Sequence, residues 1–321
     1  MDAVLSKLQE CDVAVSGLAV FGALVASSFA LKVLGALYKA FLRPGKNLKK
    51  FGKWAVVTGC TDGIGRAYAL ALAKKGLSVV LISRTESKLL DLKKEIDSKG
   101  YDGVETKVVV CDYSNFDDKA KAAVSSAIKD LDVGVLINNV GVSYRYPRFF
   151  DELPDAEVAN LIEMNVNSTT WMTRFVLPGM ASRRRGAVVN LSSGSAMYTL
   201  PLLAQYSAVK SYVASLSTAL NAEYSKKGVS VQCQIPFYVS TKMARMRKSL
   251  TVPTPEGYVN SALRWIGQPE GVVSPHWPHA LMGGAMDLLP EGLVTGQIMG
   301  MHLAIRKKGL KKDAAAAAKQ E

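Results

Sequence analysis

Only four cysteines occur in the 321 residues, at positions 11, 60, 111 and 233, and no two of them form a CxxC pair or stand close together. That scarcity excludes a zinc finger and a disulfide framework, leaves no metal site to assign, and fits a reducing compartment. No stretch interleaves aromatic with basic residues in the manner of a nucleic-acid surface. The excess of 40 lysines and arginines over 27 acidic residues, a net charge of +13, therefore points to a membrane surface or a polyanionic small molecule and not to nucleic acid. Internal repeats are missing, and low complexity is confined to the tail "KKDAAAAAKQE", residues 311–321, which reads as a disordered, solvated extension.

Charge is missing altogether from residues 13–31, "VAVSGLAVFGALVASSFAL", a run of 19 close to the roughly 20 residues that a membrane-crossing helix needs. Acidic residues are missing from the stretch after it: Lys32, Lys39, Arg43, Lys46, Lys49, Lys50 and Lys53 arrive without a carboxylate, whereas Asp2, Glu10 and Asp12 precede the run against Lys7 alone. By the positive-inside rule residues 1–12 are lumenal, 13–31 form an anchor in contact with membrane lipid, and 32–53 are a basic linker on the cytosolic side. A cleaved signal peptide is the rival reading, but the basic start that it needs is absent.

Beyond Pro44 and Gly45 short apolar runs alternate with helical patterns. Strands are expected at 54–59, 77–83, 106–112, 133–139, 186–192 and 229–235, as continuous valine, isoleucine and leucine runs separated by segments such as "SKLLDLKKEIDSKG". Such runs imply strands buried on both faces, hence a doubly wound α/β domain with a parallel sheet over residues 54–265. Residues 266–310 form an apolar C-terminal segment. Asp287, Pro290 and Glu291 interrupt it and argue against a second span; it packs beside the site, or lies against the bilayer where an acyl chain could enter.

The GxGxxG fingerprint is absent, but "TGCTDGIG", Thr58 to Gly65, follows the first strand and opens a helix. Gly59, Gly63 and Gly65 allow a tight turn and close approach of the backbone to phosphate, and the helix N-terminus offers free N–H groups. An acidic residue is also missing where the second strand ends. Ser83 and Arg84 stand there, with Arg66 close to the turn, and a cation without a carboxylate suits a 2′-phosphate; the alternative is a solvated Arg84. Asp112, ending the third strand, either meets an adenine or caps the next helix.

Two Tyr-x-x-x-Lys spacings occur. Tyr206 and Lys210 lie on a long helical pattern, where residues i and i+4 share a face; Tyr238 and Lys242 follow a strand and Pro236, where they do not pair. Ser193 ends a strand thirteen residues before Tyr206, and Asn165 lies on the preceding helical stretch. A ketone reduced by hydride needs a proton donor and hydrogen bonds to the developing alkoxide. Tyr206 suits the donor, with Lys210 moving its pKa toward neutrality and holding the cofactor ribose, Ser193 bonding the substrate oxygen and Asn165 ordering a water.

"TGCTDGIG", "NNVG", Asn165, Ser193 and "YSAVK" resemble the short-chain dehydrogenase/reductase family over roughly residues 50–260. "FLRPGKNLKKFGKWAVVTG", "VQCQIPFYVSTKM", "PEGYVNSALRWIG" and "WPHALMG" resemble, more narrowly, the plant-type microsomal very-long-chain 3-oxoacyl-CoA reductases, with kinship to microsomal 17-beta-hydroxysteroid dehydrogenases. The resemblance implies a Rossmann-like fold and NADPH as cofactor. It implies contacts to that cofactor from Thr61, Asp62 and Ile64 in the turn, from Asn139, and from Val239 and Thr241 near the nicotinamide. Cys60 and Val140 depart from the residues usual in the wider family without removing a reacting group.

The implied activity is reduction of a 3-oxoacyl-CoA to the 3-hydroxyacyl-CoA in the endoplasmic reticulum membrane, beside other elongase subunits. A steroid or 3-oxosphinganine is the rival ketone, and a non-catalytic NADP-binding scaffold the rival class. The four reacting residues argue against the scaffold. Lys242, Arg245, Arg247 and Lys248 occupy the stretch that covers the active site in this family, where they bind coenzyme A phosphates or merely face solvent or anionic lipid. The paired C-terminal lysines that often retain such proteins are missing, since Lys319 stands alone; retention then rests on the anchor or on partners.

Overall fold

The computed structural model describes residues 1–244 and 246–318. It divides into two units, residues 1–44 and 45–321. The first is a single helix: α1 spans Asp2–Leu37 and runs on through a π-helical turn at Tyr38–Leu42. Lys32 and Lys39 do not stop it, because lysine is a good helix former and a charge ends an apolar run without ending a helix. Pro44 stops it by forcing Arg43 into an extended conformation (φ −63°, ψ 124°). By length and composition, the helix over Val15–Leu42 could cross a membrane; it overlaps the expected anchor, and its helical conformation continues into the stretch expected as linker.

The second unit is built on seven parallel strands in the order β3-β2-β1-β4-β5-β6-β7. They are β1 Trp54–Thr58, β2 Ser78–Ser83, β3 Thr106–Val110, β4 Val133–Asn138, β5 Gly186–Leu191, β6 Val229–Gln234 and β7 Val272–Val273. All but β7 match expected strands; two residues on the sheet edge are too few to leave a pattern. Helices α2 Gly63–Lys74, α3 Glu86–Asp97, α4 Asp118–Ile128, α5 Asp155–Ile162, α6 Ser168–Ser182, α7 Ala204–Tyr224 and α8 Pro255–Ala262 connect the strands. Alternate strand residues serve opposite faces. Ala55, Val57, Val79 and Leu81 pack with Leu72, Leu89 and Tyr258 of α2, α3 and α8, whereas Val56, Val80 and Ile82 pack with Val124, Met172 and Val176 of α4 and α6. Because β1 pairs with both β2 and β4, the chain order reverses there, and a crevice opens at the carboxyl ends of β1 and β4.

Two further helices complete the unit, α9 Trp277–Asp287 and α10 Glu291–Ala317. Both make contacts with the stretch after β5: the Tyr198 hydroxyl donates to the Gly283 carbonyl at 2.9 Å, and buried His302 donates through Nδ1 to the Pro201 carbonyl at 2.6 Å. The tail expectation fails over residues 311–317, which continue α10. Alanine and lysine are strong helix formers, and Asp313 accepts from the Tyr146 hydroxyl (2.7 Å) and pairs with Arg145 (2.7 Å). Lys319 and its neighbours at 320 and 321 lie outside the described residues.

Candidate active site

The glycine turn has the conformation that its residues were expected to permit. Gly59 (φ 61°) and Gly63 (φ 53°) adopt left-handed backbone, and a Cβ on Gly65 would collide with the Gly59 carbonyl and the Asn139 amide. Asn139 braces the turn by donating through Nδ2 to the carbonyls of Thr58 (3.2 Å) and Gly59 (3.0 Å). Asp62 caps α2 by accepting from the Gly63 amide at 2.8 Å, and the hydroxyls of Thr61 and Ser83 meet at 3.1 Å, tying the turn to the end of β2. Ile64 packs against the core beneath. A side-chain-free floor at the N-terminus of a twelve-residue helix fits a dinucleotide pyrophosphate.

Arg84 is exposed at the end of β2, and its charge helps to hold the Asp112 carboxyl below the usual range, after the larger effect of the Ser114 amide that Asp112 accepts at 3.0 Å. Of the two roles open to Asp112, capping is the one its bonds serve. Arg66, close to the turn in sequence, is engaged in an ion pair with Glu95 of α3.

Tyr206 lies in the first turn of α7, one turn before Lys210, whose Nζ is 5.8 Å from the centre of its ring. Lys210 is 6% exposed and donates to the Leu191 carbonyl at 3.2 Å. Ser193 caps the short helical turn after β5, accepting from the Ser195 amide at 3.2 Å, and its hydroxyl lies near enough to Tyr206 to lower that phenol's pKa. Asn165 sits in a π-helical turn, Glu163–Asn167, at the joint of α5 and α6. Its Nδ2 donates to the carbonyls of Leu161 (2.9 Å) and Val142 (3.1 Å), while its buried Oδ1 has no protein partner. Gly141 packs against both Asn165 and Lys210, because a Cβ on it would stand 2.6 Å from Asn165 Oδ1 and 3.0 Å from Lys210 Nζ. The four residues expected to react are thus brought together at the carboxyl edge of the sheet.

Their electrostatics depart from expectation. Burial raises the Tyr206 pKa, the Ser193 hydroxyl offsets part of that rise, and the phenol of Tyr238 adds to it; the lysine is not what dominates. Burial also lowers Lys210, to about 8. A cation over the ring face at this distance, with its ammonium desolvated, is too weak to overcome burial of the phenol.

Several site residues left no local signal. Tyr144, buried at the loop after β4, accepts from the Gln205 amide at 3.0 Å and so fixes the first turn of α7, where no residue of the helix caps its own amides. Leu202, just before that turn, holds a left-handed φ of 67°, a strain of the kind found at functional sites. Tyr238, which sequence spacing made a decoy, does not pair with Lys242, since Lys242 bonds Asp62 at 2.6 Å; yet its phenol bears on Tyr206. Thr241 lies over the turn, 3.2 Å from where a Cβ on Gly63 would stand, and Val239 is buried beside it. A cavity of about 500 Å³ adjoins, lined by Val142, Arg145, Arg148, Asn160, Lys242 and Met243 among others. Arg247 and Lys248 are exposed beyond it, and Arg245 lies outside the described residues.

Residues 53–250 match the family described as short chain dehydrogenase. The chain is 47% identical over 268 residues, 81% of its own length and 84% of the relative's, to very-long-chain 3-oxoacyl-CoA reductase-B of Danio rerio. It is 44% identical over 296 residues, 88% of its length and 91% of the relative's, to very-long-chain 3-oxoacyl-CoA reductase of Anas platyrhynchos. Among solved structures, a short-chain dehydrogenase from Sphingobium yanoikuyae in complex with NADPH superposes with a TM-score of 0.63 at 26% identity, covering 74% of this chain and 96% of that one.

Proposed function

This chain belongs to the short-chain dehydrogenase/reductase family and is closely related to the very-long-chain 3-oxoacyl-CoA reductases, and on that premise we propose that it reduces a very-long-chain 3-oxoacyl-CoA to the 3-hydroxyacyl-CoA with NADPH. The observation that carries the reading is the hydroxyl pair of Ser193 and Tyr206, backed by Lys210, at the mouth of a glycine turn shaped for pyrophosphate. NADPH, when bound, supplies the hydride that the carbonyl carbon receives.

The protein's own residues handle the oxygen and the proton. Ser193 and Tyr206 donate hydrogen bonds to the substrate oxygen, and Tyr206 gives up its proton as that oxygen gains charge. The ammonium of Lys210, fixed by the Leu191 carbonyl, stabilises the phenolate left behind. Asn165 Oδ1, without a protein partner, and Lys210 Nζ, both beside Gly141, order a water that returns the proton to Tyr206. Arg84, with no carboxylate at its strand end, favours the 2′-phosphate of NADPH. Lys242 and Arg247, together with Arg145 at the cavity rim, meet the phosphates of coenzyme A.

The same reading puts the protein in the endoplasmic reticulum membrane with its larger unit in the cytosol, among other elongase subunits. Support comes from the helix over Val15–Leu42 and from the cations after it. Product analysis of purified membranes given NADPH and a panel of ketones tests the substrate: 3-hydroxyacyl-CoA should form, and activity on steroids or 3-oxosphinganine without activity on acyl-CoA would contradict the reading.

A further inference from the structure

His279 of α9 is wholly buried and takes no part in the chemistry above. Both its nitrogens are bonded to backbone, and to the same loop. The Phe237 amide donates to Nδ1 at 3.3 Å, and Nε2 lies 3.0 Å from the Thr251 carbonyl. A ring whose Nδ1 accepts must carry its hydrogen on Nε2, so Nε2 donates to Thr251 and the tautomer is set. Phe237 stands just after β6 and Thr251 just before α8, so one imidazole holds the two ends of the segment between them. His276, three residues earlier, adds a bond from Nε2 to the Leu250 carbonyl at 3.3 Å, with its ring edge-on to His279 at 4.7 Å.

The far half of the segment so held is otherwise tied mainly to itself: the Ser240 hydroxyl donates to the Met246 carbonyl at 2.9 Å, and the Ser249 amide to the Val252 carbonyl at 2.9 Å. Residues 246–251 are exposed, and Met243 and Leu250 turn 61% and 68% of their surface to solvent. Burial of side chains cannot fix such a loop. Its near half, however, carries Tyr238 toward Tyr206, Thr241 over Gly63 and Lys242 onto Asp62. An apolar side chain would fill the place of His279 without the cost of burying two nitrogens, and that cost is met here only by loop backbone.

We propose that His279, with His276 beside it, is a positioning residue that staples the two ends of the loop between β6 and α8 to α9 and so holds its residues 238–244 above the cofactor turn and Tyr206. The loop's part in gripping acyl-CoA rests on the function proposed above; the staple itself does not, and its test needs no acyl-CoA.

In the full-length wild-type protein, hydrogen exchange should show the Phe237 amide protected like those of β6. His279→Phe, which keeps an aromatic ring and loses both bonds, should speed tryptic cleavage at Lys242, Arg247 and Lys248 by about tenfold or more, the change that one net hydrogen bond of ordinary strength produces. Cleavage outside residues 238–250 should stay as in wild type, and the Kd for NADPH, measured by direct binding, should rise several-fold. His276→Phe, at a half-exposed position, should give a smaller acceleration confined to the same sites, and it decides the matter with the exchange data if His279→Phe does not fold. A Phe237 amide exchanging at the rate of a free loop, or cleavage that is unchanged or accelerated equally at all sites, would overturn the staple whatever ketone the enzyme reduces.

Discussion

At Tyr206 the decisive groups are a hydroxyl and its neighbours, so single-atom changes discriminate. Tyr206→Phe keeps the ring against Tyr144, Leu153 and Leu161 and should lose at least about a hundredfold in turnover, the scale of general-acid catalysis, while NADPH binding persists. Tyr238→Phe should be much milder, because its phenol faces Tyr206 without the Lys210 and Ser193 contacts. Equal loss of the chemical step in the two would remove Tyr206 from its role. Lys210, lowered to about 8 by burial, gives the pH dependence its sign: its proton is present below that value and leaves as pH rises through it. A reaction that needs the ammonium should therefore show kcat/KM falling above about pH 8, and a profile flat to pH 10 would contradict the assignment. His279, lowered to about 4 chiefly by burial, with His276 adding to the shift and the uncharged Tyr258 ring facing it, behaves differently. The folded chain keeps it neutral where the unfolded chain protonates, so its contribution to stability is complete above about 6.5 and declines as pH falls toward 4. His279→Phe should flatten that part of the stability profile in denaturant titrations.

Among the elements, the legible ones were those that carry their reason within a few residues. β1, the glycine turn and α2 succeed one another in "WAVVTGCTDGIGRAYALALAK", and Tyr206 and Lys210 are one helical turn apart, so strand burial, φ and pairing all leave a local mark. Tyr144 against Gln205, His279 against Phe237 and Thr251, and the two-residue β7 depend on partners tens of residues away, and nothing near them signals it. The same cause misplaced the tail: polyalanine is compatible with coil or helix, and Asp313 meeting Tyr146 and Arg145 decides for helix. Gly309 lets α10 approach that closely, since a Cβ there would enter the Tyr146 ring. Gly309→Leu should cost about 1–3 kcal/mol by overpacking, offset by about 1 kcal/mol of helix propensity, with a lowered melting temperature as the readout. At the end of β2, Arg84→Asp should sharply reduce the preference for NADPH over NADH by setting a carboxylate against the 2′-phosphate. Equal kcat/KM for the two cofactors in the wild type would contradict the role given to Arg84.

For the molecule as a whole, the N-terminal helix, long and apolar enough to cross a membrane, and the α/β unit answer to separate tests. Alkaline carbonate should leave the protein in the membrane pellet, and protease added to sealed microsomes should digest the larger unit; a domain protected inside the vesicle would reverse the orientation read from Lys32 to Lys53. The central claim, that hydride from NADPH reaches the 3-oxo carbon while Tyr206 supplies the proton, is tested most directly by isotope transfer. With NADPH deuterated at the transferable position and a very-long-chain 3-oxoacyl-CoA, the wild type should yield 3-hydroxyacyl-CoA bearing one deuterium at C3. Tyr206→Phe should bind the cofactor and yield almost none. An unlabelled product, or undiminished labelled product from Tyr206→Phe, would contradict the account.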